Sequence, residues 1–545
     1  MRPLLLPALL LAALPAFGTD VLPPLFGHRG VQQSVTTEPP LRTSTTAARV
    51  LVKTSGATEN DLAELRRANA NSDGPLHVGI VKELEPVSIV SAQSGRWQWR
   101  GAVQAEGARR VRVRLDDVVL PAGAKLWIYG TGGAAIAITA NTGTLWTPSV
   151  AGDTATIEVD APGSASFRIG ALADMRHPSD AAAHDTSCIE DATCHNGNSA
   201  LGRAIAFYDF VAGTRLLSCT GGLVNNAAQD GAPYFLTANH CVKTAEQAAT
   251  LEAFWDYRSS ACNAHVPPFD TFPRTLGATL LVTSFTSDVT LLRLHGIPPN
   301  RTFLGWDRRD LAHDTPLFHL SHPNGAAQRY SSSALDEHFA GCASSQRPSF
   351  LYSRPLVGAT DVGSSGAPLL YGEGYVVGQL KSGCGPEPDN ACNRANRDVD
   401  GAFAVSYAQL RPFLDPAPQC ETCTPNDTTA CLLGNRFKVT VTWNDTFAGI
   451  SGMGHPIRYS ENTPDPIVEN AFFSFYGHAP KAVETIVKIV KGVTVNDKYW
   501  LFVAGFSGAA YDVTVQDTTT CAKWERSVPS QSPAIIRDYE AFPLP

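Results

Sequence analysis

Short runs of alternating apolar and polar residues recur through the first third of the chain. Arg110 to Leu115 alternates strictly, and the apolar run Lys125 to Tyr129 follows it after a turn of proline and glycine. Side chains of a strand point alternately to opposite faces, so this pattern is typical of half-buried strands. Short strands at this spacing predict a small β-sandwich over residues 78–170.

The middle of the chain, residues 186–415, shows a different pattern. Strand-sized apolar segments such as Tyr234 to Ala238 and Val289 to Leu294 recur there, and a helix-length amphipathic stretch appears only at Ala408 to Leu414. This combination predicts an antiparallel β-barrel protein. A proline-containing break at 415–418 separates it from a last region in which alternation returns, and that region predicts a second β-sandwich.

Three other segments are not expected to be folded domains. Residues 20–75 contain few large apolar side chains, which predicts a loosely structured leader, and Met175 to Asp185 is polar enough to be a linker. At the start, Arg2 precedes a short apolar run, Leu4 to Phe17, that ends among small residues. Such a run is too short to span a bilayer, and it predicts a signal peptide over residues 1–18 and hence a secreted protein.

Charge and cysteine content narrow the possible partners. The formal net charge is −8 and no basic run occurs, which argues against nucleic acid. No later segment approaches ~18 apolar residues, so no membrane association is expected. The 12 cysteines of an exported chain are expected to pair. Eight lie from Cys188 to Cys392 and four from Cys420 to Cys521, which indicates regions that fold separately.

Three segments of the middle region carry the residue types that nucleophilic catalysis needs. His240 follows an apolar strand and precedes Cys241, Asp288 opens another strand, and Ser365 lies in the loop 363–368. A hydroxyl becomes a nucleophile when an imidazole takes its proton and a carboxylate orients that imidazole. Each segment alone has a structural explanation. Their combination, in the order His, Asp, Ser, predicts the catalytic triad of a chymotrypsin-type peptidase.

The loop around Ser365 also predicts where developing negative charge would be stabilised. Its glycines allow a tight turn, and the N–H groups of Gly363 and Ser365 are the expected oxyanion donors. An α/β-hydrolase would instead show the order Ser, Asp, His, with glycine two residues on either side of the nucleophile. Ala367 occupies the second of those positions, so this alternative is rejected.

Beyond the triad, most of residues 186–405 resembles the lysyl endopeptidases, a bacterial branch of the trypsin-like peptidases. The matching runs are as follows: Ser187-Cys188, Cys219-Thr220-Gly221, Leu223 to Asn226, Phe235 to Cys241, Ser287-Asp288, Gly305 to Asp310, His322-Pro323-Asn324, Gly363 to Gly366 and Val377 to Leu380. Several of these runs have no catalytic reason to recur. The resemblance implies a two-barrel fold and cleavage after a basic residue. It also implies a pairing of the cysteines: Cys219 with Cys241, Cys194 with Cys262, Cys188 with Cys384 or Cys392, and Cys342 with the one of those two that remains.

The same resemblance nominates substrate-binding residues. Asp398, three residues before Gly401, matches the family's specificity aspartate, and a carboxylate there would pair with a basic side chain. The run is also turn-rich, so a surface turn is the alternative. Lys381 stands where the family carries a histidine, and its cation could pair with Asp288 or Asp398. The family's tryptophan is missing from Phe339 to Gln346. A basic preference is therefore expected, without strict selectivity for lysine.

The sequence also predicts a zymogen. Ser364 replaces the aspartate with which many trypsin-like zymogens capture a new N-terminus, so assembly without N-terminal insertion is expected. The predicted organisation comprises four parts: signal peptide 1–18, propeptide with a β-rich domain 19–182, peptidase domain 183–415 and C-terminal β-sandwich 416–545. The propeptide would assist folding or mask the cleft. Arg176 is the only basic residue of the linker at which self-processing could occur.

Two weaker motifs have structural interpretations. Cys420 and Cys423 lack the second closely spaced pair that a zinc ribbon needs, so disulfides are expected. His319 and His322, three apart on a predicted strand, would point to opposite faces, so they are expected to be packed or surface residues. The sequence predicts no metal and no cofactor.

Together these patterns predict an all-β, secreted, monomeric serine endopeptidase that acts on proteins or peptides through an acyl-enzyme. A two-barrel trypsin-like domain would lie between two β-sandwiches. Two alternatives stay open. One is a peptidase with another preference, acidic if Lys381 faces the pocket. The other is a catalytically silent binding protein on the same fold.

Overall fold

The computed structural model describes most of the chain after residue 19. The described residues are as follows: 20–28, 35–37, 49–70, 74–91, 95–131, 135–138, 142–176, 186–195, 199–416, 420–457, 469–476, 482–493, 495–532 and 534–543. The predicted signal peptide and most of the predicted linker lie outside them. They divide into two compact units, one within 19–415 and one within 416–545. Both are built mainly of β-strands, which confirms the all-β prediction.

The N-terminal part of the larger unit is a β-sandwich, as the alternating pattern predicts. Its strands after residue 34 are as follows: Val35–Thr37, Val50–Thr54, Leu76–Val90, Trp97–Ala105, Arg110–Val119, Lys125–Tyr129, Ile136–Ile138, Thr142–Trp146, Val150–Ala151, Thr154–Ala161 and Ser166–Met175. They belong to two sheets whose facing apolar side chains, including Val113, Leu115 and Ile157, form one core.

The expectation of a loosely structured leader over residues 20–75 is wrong. Val21–Leu22 pairs with Gly305–Asp307 and Leu25–His28 pairs with Arg301–Phe303, both antiparallel. Strands of the predicted peptidase domain complete its hydrogen bonds, so the segment forms strands although it contains few large apolar residues. A helix, Glu59–Asn69, also forms there, and its first turn is closed by a capping box.

The peptidase region contains two sheets of barrel type. The strands of the first are as follows: Ile205–Ala212, Arg215–Leu223, Tyr234–Ala238, Glu252–Trp255, Arg274–Leu276, Ala278–Ser284 and Val289–Leu294. Those of the second are as follows: Pro316–Ser321, Arg329–Leu335, Phe350–Val357, Pro368–Tyr371, Tyr375–Cys384 and Arg397–Ala402. The second set closes on itself, because its last two strands also pair. Short additional strands are as follows: Glu190–Asp191, Arg301–Phe303 and Gly305–Asp307.

Helices are few in the peptidase region. The α-helices are Ala245–Ala249 and Phe403–Leu414. The short 3-10 helices are as follows: Ala192–Cys194, Leu201–Ala204, Phe269–Thr271 and Pro323–Gly325. Within the described ranges, no helix combines the length and apolarity that crossing a membrane requires.

One sheet runs continuously from the N-terminal sandwich into the first barrel. Leu76–Val90 pairs with Ser166–Met175 on one edge and with Arg215–Leu223 on the other. In the strand Arg110–Val119 of the same sheet, arginines alternate with apolar residues. Val111, Val113 and Leu115 enter the sandwich core, whereas Arg112 on the opposite face is also fully buried.

Arg112 joins the sandwich to the peptidase region through charge. Its guanidinium lies 2.9 Å from the Asp209 carboxylate and 3.7 Å from that of Glu252, and all three side chains are buried. Arg274 also pairs with Glu252, at 3.1 Å. Burial raises the pKa of Asp209, and the charge of Arg112 opposes that rise. This network is an ionic contact that water does not screen.

Six disulfides account for all 12 cysteines. The pairs are as follows: Cys188–Cys392, Cys194–Cys262, Cys219–Cys241, Cys342–Cys384, Cys420–Cys521 and Cys423–Cys431. The first four are pairs that the resemblance allows, and it is Cys392 that takes Cys188. In the last two pairs, Cys420 and Cys423 each form a disulfide, as the sequence predicts for that motif.

The smaller unit is a sandwich of two five-stranded sheets. The first contains the following strands: Thr429–Leu432, Phe437–Asp445, Ile450–Met453, Ala510–Asp517 and Lys523–Val528. The second contains the following strands: His455–Pro456, Asn470–Ser474, Thr485–Lys491, Lys498–Gly505 and Ala534–Pro543. Alternate residues such as Val439, Val441 and Val487 fill the space between them.

Replacing Arg112 by Met is expected to lower the free energy of unfolding of the larger unit by about 3–5 kcal/mol, because Asp209 would stay buried without its cation. Urea unfolding of the full chain carrying Ser365→Ala, which prevents self-digestion, measures the change. Adding Asp209→Asn should recover part of the loss. Equal stability of the Arg112→Met chain and its parent would contradict the role given to this contact.

Candidate active site

Two paired strands bring His240 and Asp288 together. Tyr234–Ala238 lies antiparallel to Val289–Leu294, with Ala238 opposite Val289. His240 follows the first strand and Asp288 precedes the second, so both residues lie at the same end of the pair. The backbone N–H of Asn239 donates to the carbonyl of Asp288 at 2.8 Å and closes that end.

The carboxylate of Asp288 contacts His240 at two points. One oxygen lies 2.6 Å from Nδ1 of the imidazole, and the other accepts the backbone N–H of His240 at 2.9 Å. Asp288 has a φ of 53°, in the left-handed region that aspartate tolerates better than most residues. Because an ionised carboxylate only accepts, the Nδ1 nitrogen carries the proton and Nε2 is left as an acceptor.

Ser365 packs against the disulfide next to His240. Its carbonyl accepts the N–H of Thr220 at 2.9 Å and lies 3.8 Å from Sγ of Cys241. The preceding Gly363 has a φ of 94°, and a Cβ there would come within 2.8 Å of the His322 carbonyl. Only glycine fits this turn, as the sequence predicts for an oxyanion loop.

The hydroxyl of Ser365 does not bond to the imidazole. It donates to the carbonyl of Gly74, in the N-terminal part of the chain, at 3.4 Å. Nε2 of His240 is buried and has no hydrogen-bond partner in the described part of the chain. The structure thus pairs His240 with Asp288, places Ser365 beside the same disulfide, and gives the serine hydroxyl a different acceptor.

Ser364 lies in a neutral environment. Its hydroxyl accepts a hydrogen bond from the Ser321 hydroxyl at 3.0 Å and one from the Asp361 N–H at 3.3 Å, and the residue is fully buried. Position 364 therefore offers a new N-terminus no carboxylate with which to pair.

Asp398 lines a cavity that also includes Ser365 and Lys381. It is 8% exposed, so the alternative of a surface turn is wrong. Thr360 donates a hydrogen bond to its carboxylate at 2.8 Å. Burial raises the pKa of Asp398 to about 6, with the nearby charge of Asp400 adding to the rise. The cavity thus holds a carboxylate that lacks a full cationic partner.

A buried pair that the sequence pattern did not predict lies near this carboxylate. Nε2 of His319 lies 2.9 Å from a carboxylate oxygen of Asp400, and both residues are buried. Burial lowers the pKa of His319, but the charge of Asp400, its hydrogen bond to the ring and the charge of Asp398 together outweigh burial, so the net pKa is raised. The available signal is the spacing of Asp398 and Asp400, because residues two apart on a strand share a face.

His322 is packed, as expected, and makes no pair with His319. Its ring stacks on that of Tyr257 with centroids 5.5 Å apart, and Nδ1 lies 2.9 Å from the Ala326 carbonyl oxygen. Burial lowers its pKa to about 4, so His322 is neutral near pH 7.

Lys381 pairs with neither Asp288 nor Asp398, so the expectation of such an ion pair is wrong. Its Nζ lies 5.9 Å from the centre of the Phe350 ring. The reason is local: the strand register shifts between Leu380 and Ser382, which leaves Lys381 as the extra residue of a β-bulge.

Arg176, the predicted processing site, is part of the folded sandwich. Its guanidinium lies 2.6 Å from the Asp174 carboxylate, and its backbone N–H donates to the carbonyl of Val78 at 2.8 Å. Processing at Arg176 would therefore require this end of the strand to open.

Comparisons with known proteins agree with these features. A family profile described as the lysyl endopeptidase C-terminal domain matches residues 179–400, and one described as the lysyl endopeptidase N-terminal domain matches residues 53–172. A lysyl endopeptidase of Pseudomonas aeruginosa is 26% identical over 388 residues, which cover 63% of this chain and 82% of that protein.

Two solved structures also show some likeness. The active form of the Rv3671c protease from M. tuberculosis is 17% identical, covers 42% of this chain and 90% of that one, and has a TM-score of 0.29. The apo MamO protease domain of Magnetospirillum magneticum is 15% identical, covers 38% of this chain and 96% of that one, and has a TM-score of 0.27.

The two lysyl endopeptidase profiles fall on separate stretches, and these are the stretches that one continuous sheet joins in the structure. The relative from Pseudomonas aeruginosa aligns over most of its own length. On these grounds the chain belongs to the lysyl endopeptidase-like peptidases.

Proposed function

We propose that this protein is a secreted serine endopeptidase that cleaves after basic residues by way of an acyl-enzyme. The observation that carries the proposal is the two-point contact of Asp288 with His240, at 2.6 and 2.9 Å, beside the loop of Ser365. The 12 paired cysteines support an oxidising, extracellular destination. The expected partners are peptide and protein substrates, acted on by a monomer.

His240 and Asp288 are arranged for proton transfer. Asp288 holds the Nδ1–H, so Nε2 can take the proton of Ser365 as its oxygen attacks the scissile carbonyl. The N–H groups of Gly363 and Ser365 would hold the resulting oxyanion. His240 then protonates the departing amine, and water completes the cycle by releasing the acyl group from Ser365.

Asp398 would select the residue before the scissile bond. A lysine or arginine side chain entering the cavity would give the buried carboxylate the cation it lacks. This contact lowers the free energy of the carboxylate's ionised form, so binding of the cation is favoured. The guanidinium of arginine can engage a carboxylate at two points, and nothing in the cavity reserves it for lysine.

The two alternatives make different demands on the structure. An acidic preference would require Lys381 to direct its charge at the substrate, yet its ammonium lies over Phe350. A silent binding protein would have no need of the buried His240–Asp288 contact.

Replacing Ser365 by Ala is expected to reduce kcat by about 10⁶-fold, because the nucleophile is removed. A fluorophosphonate probe should label the processed parent and leave the variant unlabelled. Ser364→Ala is the matched control, since it removes the neighbouring hydroxyl that bonds to Ser321, and it should still be labelled. Labelling of the Ser365→Ala protein would defeat the assignment.

Replacing Asp398 by Asn is expected to lower kcat/KM for lysine and arginine substrates about 10²–10³-fold, because the buried charge partner is lost. Substrates with a neutral residue at that position should change little. A peptide library in which the residue before the scissile bond is varied over all amino acids measures both effects. A gain for basic substrates, or a preference for acidic ones in the parent, would favour the alternative role of Lys381.

The same substitution is expected to stabilise the free enzyme. The folded-state pKa of Asp398 is raised to about 6. The protonated carboxyl therefore favours the folded state at low pH, and this contribution to the free energy of unfolding is lost as pH rises from the unfolded-state pKa through about 6. Above that pH, Asp398→Asn should raise the free energy of unfolding by about 1–3 kcal/mol. Thermal unfolding of the Ser365→Ala protein, with and without Asp398→Asn, measures this. A less stable Asn variant would show that Asp398 already has a compensating partner.

Acidification should remove the basic preference. As Asp398 takes up a proton near pH 6, its attraction for a cation disappears. The ratio of kcat/KM for an arginine substrate to that for a neutral substrate should fall through that pH. Taking the ratio cancels every pH effect that the two substrates share. A constant ratio between about pH 5 and about pH 8 would contradict the role of Asp398.

A further inference from the structure

Two residues of the N-terminal region, Ala70 and Gly74, lie close to the candidate site. Ala70 lines a surface cavity together with Ser382 and Gly383, at the end of the strand that borders the Asp398 cavity. The carbonyl of Gly74 accepts the hydrogen bond of the serine. From residue 76 onward the chain pairs with the first barrel. From Gly74, which contacts the nucleophile, the chain therefore runs on to the edge strand Arg215–Leu223 of the first barrel.

The pairing with the barrel edge begins next to the active site. Leu76 lies opposite Ser218, and Ile80 lies opposite Arg215. Ser218 precedes Cys219, whose disulfide partner Cys241 adjoins the catalytic histidine. Adding an extended strand to a sheet edge is a common way for a protein to bind a peptide, because the backbone supplies the hydrogen bonds. This edge is therefore placed to bind the residues of a peptide that follow the bond that Ser365 would attack.

Leu76 gives the strand an apolar anchor. It is fully buried and belongs to a cluster that contains Leu216 and Val362 from the peptidase region. At the far end of the same strand, Val90 is 66% exposed. The end of the strand that lies near the catalytic serine is therefore the end held by the peptidase.

Polar contacts hold the same segment from behind. The side chain of Asn69 accepts the backbone N–H of His77 at 2.7 Å and donates to its carbonyl at 2.9 Å. Glu64 of the preceding helix forms an ion pair with Arg215 on the barrel edge. Helix, strand and edge therefore form one docked element.

The peptide bond that faces the nucleophile is poorly suited to hydrolysis. Gly74 has no side chain to place near Asp398. The next residue, Pro75, carries ring carbons on the nitrogen that would have to depart, and it has no N–H. Among the described residues, Nε2 of His240 has no hydrogen-bond partner, so the imidazole is not bonded to the serine hydroxyl. The segment thus follows the path of a substrate and carries residues that resist cleavage.

We propose that residues 74–80 are a built-in substrate mimic that inhibits the peptidase until the N-terminal region is removed. The mimic fills the half of the cleft that receives the leaving group, with Gly74 at the nucleophile and Leu76 in the apolar site two residues further on. The inference rests on the proposed function and adds its regulation. It also predicts that this edge accepts an apolar side chain at the second residue after the scissile bond.

The mimic should become a substrate when its two resistant residues are replaced. In the full chain carrying Gly74→Lys and Pro75→Ala, Ser365 would attack the carbonyl carbon of residue 74 and pass its proton to His240. The imidazole would return the proton to the nitrogen of residue 75 as the C–N bond breaks. Water would then release the acyl group, leaving a carboxylate at 74 and a free amine at 75.

N-terminal sequencing of this variant is expected to show a new start at residue 75. Gly74→Asp with Pro75→Ala is the matched control, and it should show no such start, nor should the double variant in a Ser365→Ala chain. A double variant that cleaves basic peptides in solution yet shows no start at 75 would overturn the mimic while leaving the proposed function intact.

A second measurement uses the unaltered chain. In a partly processed sample treated with a fluorescent fluorophosphonate, the full-length band should carry at least ten-fold less label per mole than the processed band. Leu76→Asp should release the strand and restore labelling of the full-length band, whereas Val90→Asp, at the exposed end of that strand, should not. Equal labelling of the two unaltered bands would overturn the mimic, and absence of label from both would defeat the proposed function itself.

Discussion

The register between two strands determines the chemistry of this protein. Because Ala238 lies opposite Val289, the residues just beyond this pair, His240 and Asp288, meet at one end of the first barrel. Both carboxylate oxygens of Asp288 are then used, one on the imidazole and one on the backbone, so the ring has a single favoured orientation. A slip of one residue would turn each side chain to the opposite face and abolish the site.

Placing the serine beside this pair depends on the second barrel. The bonds of Ser365 with Thr220, and its contact with the Cys219–Cys241 disulfide, tie the glycine loop of one barrel to the histidine turn of the other. A turn with Gly363 at φ 94° would be strained for any residue with a Cβ. The candidate site therefore depends on an inter-barrel contact and on a backbone shape, neither of which is a property of the side chains of His240, Asp288 and Ser365 themselves.

The sequence could predict the parts of this arrangement that local pattern encodes. His240 and Asp288 each adjoin an apolar strand, and the loop of Ser365 contains the glycines that its turn requires. It could not predict the strand pairing of residues 20–28, since partners far along the chain supply those hydrogen bonds. The direction of Lys381 depends on a bulge, and the His319–Asp400 pair depends on two strands meeting inside a barrel. Such features arise from tertiary contacts, so the pattern along one segment does not identify the partner that the segment meets.

The contact between the sandwich and the peptidase region has the chemistry of a reversible one. Removal of the sandwich, which the zymogen prediction implies, would take Arg112 away and leave Asp209 and Glu252 with Arg274. A large apolar interface would leave an exposed hydrophobic patch after removal of the sandwich, but carboxylates that become exposed are hydrated by water. The barrel edge from Arg215 to Ser218 is the exception, because it loses a strand and presents unpaired backbone groups. Under the proposed function a substrate would satisfy those groups, so the edge that the sandwich covers is the one that catalysis needs.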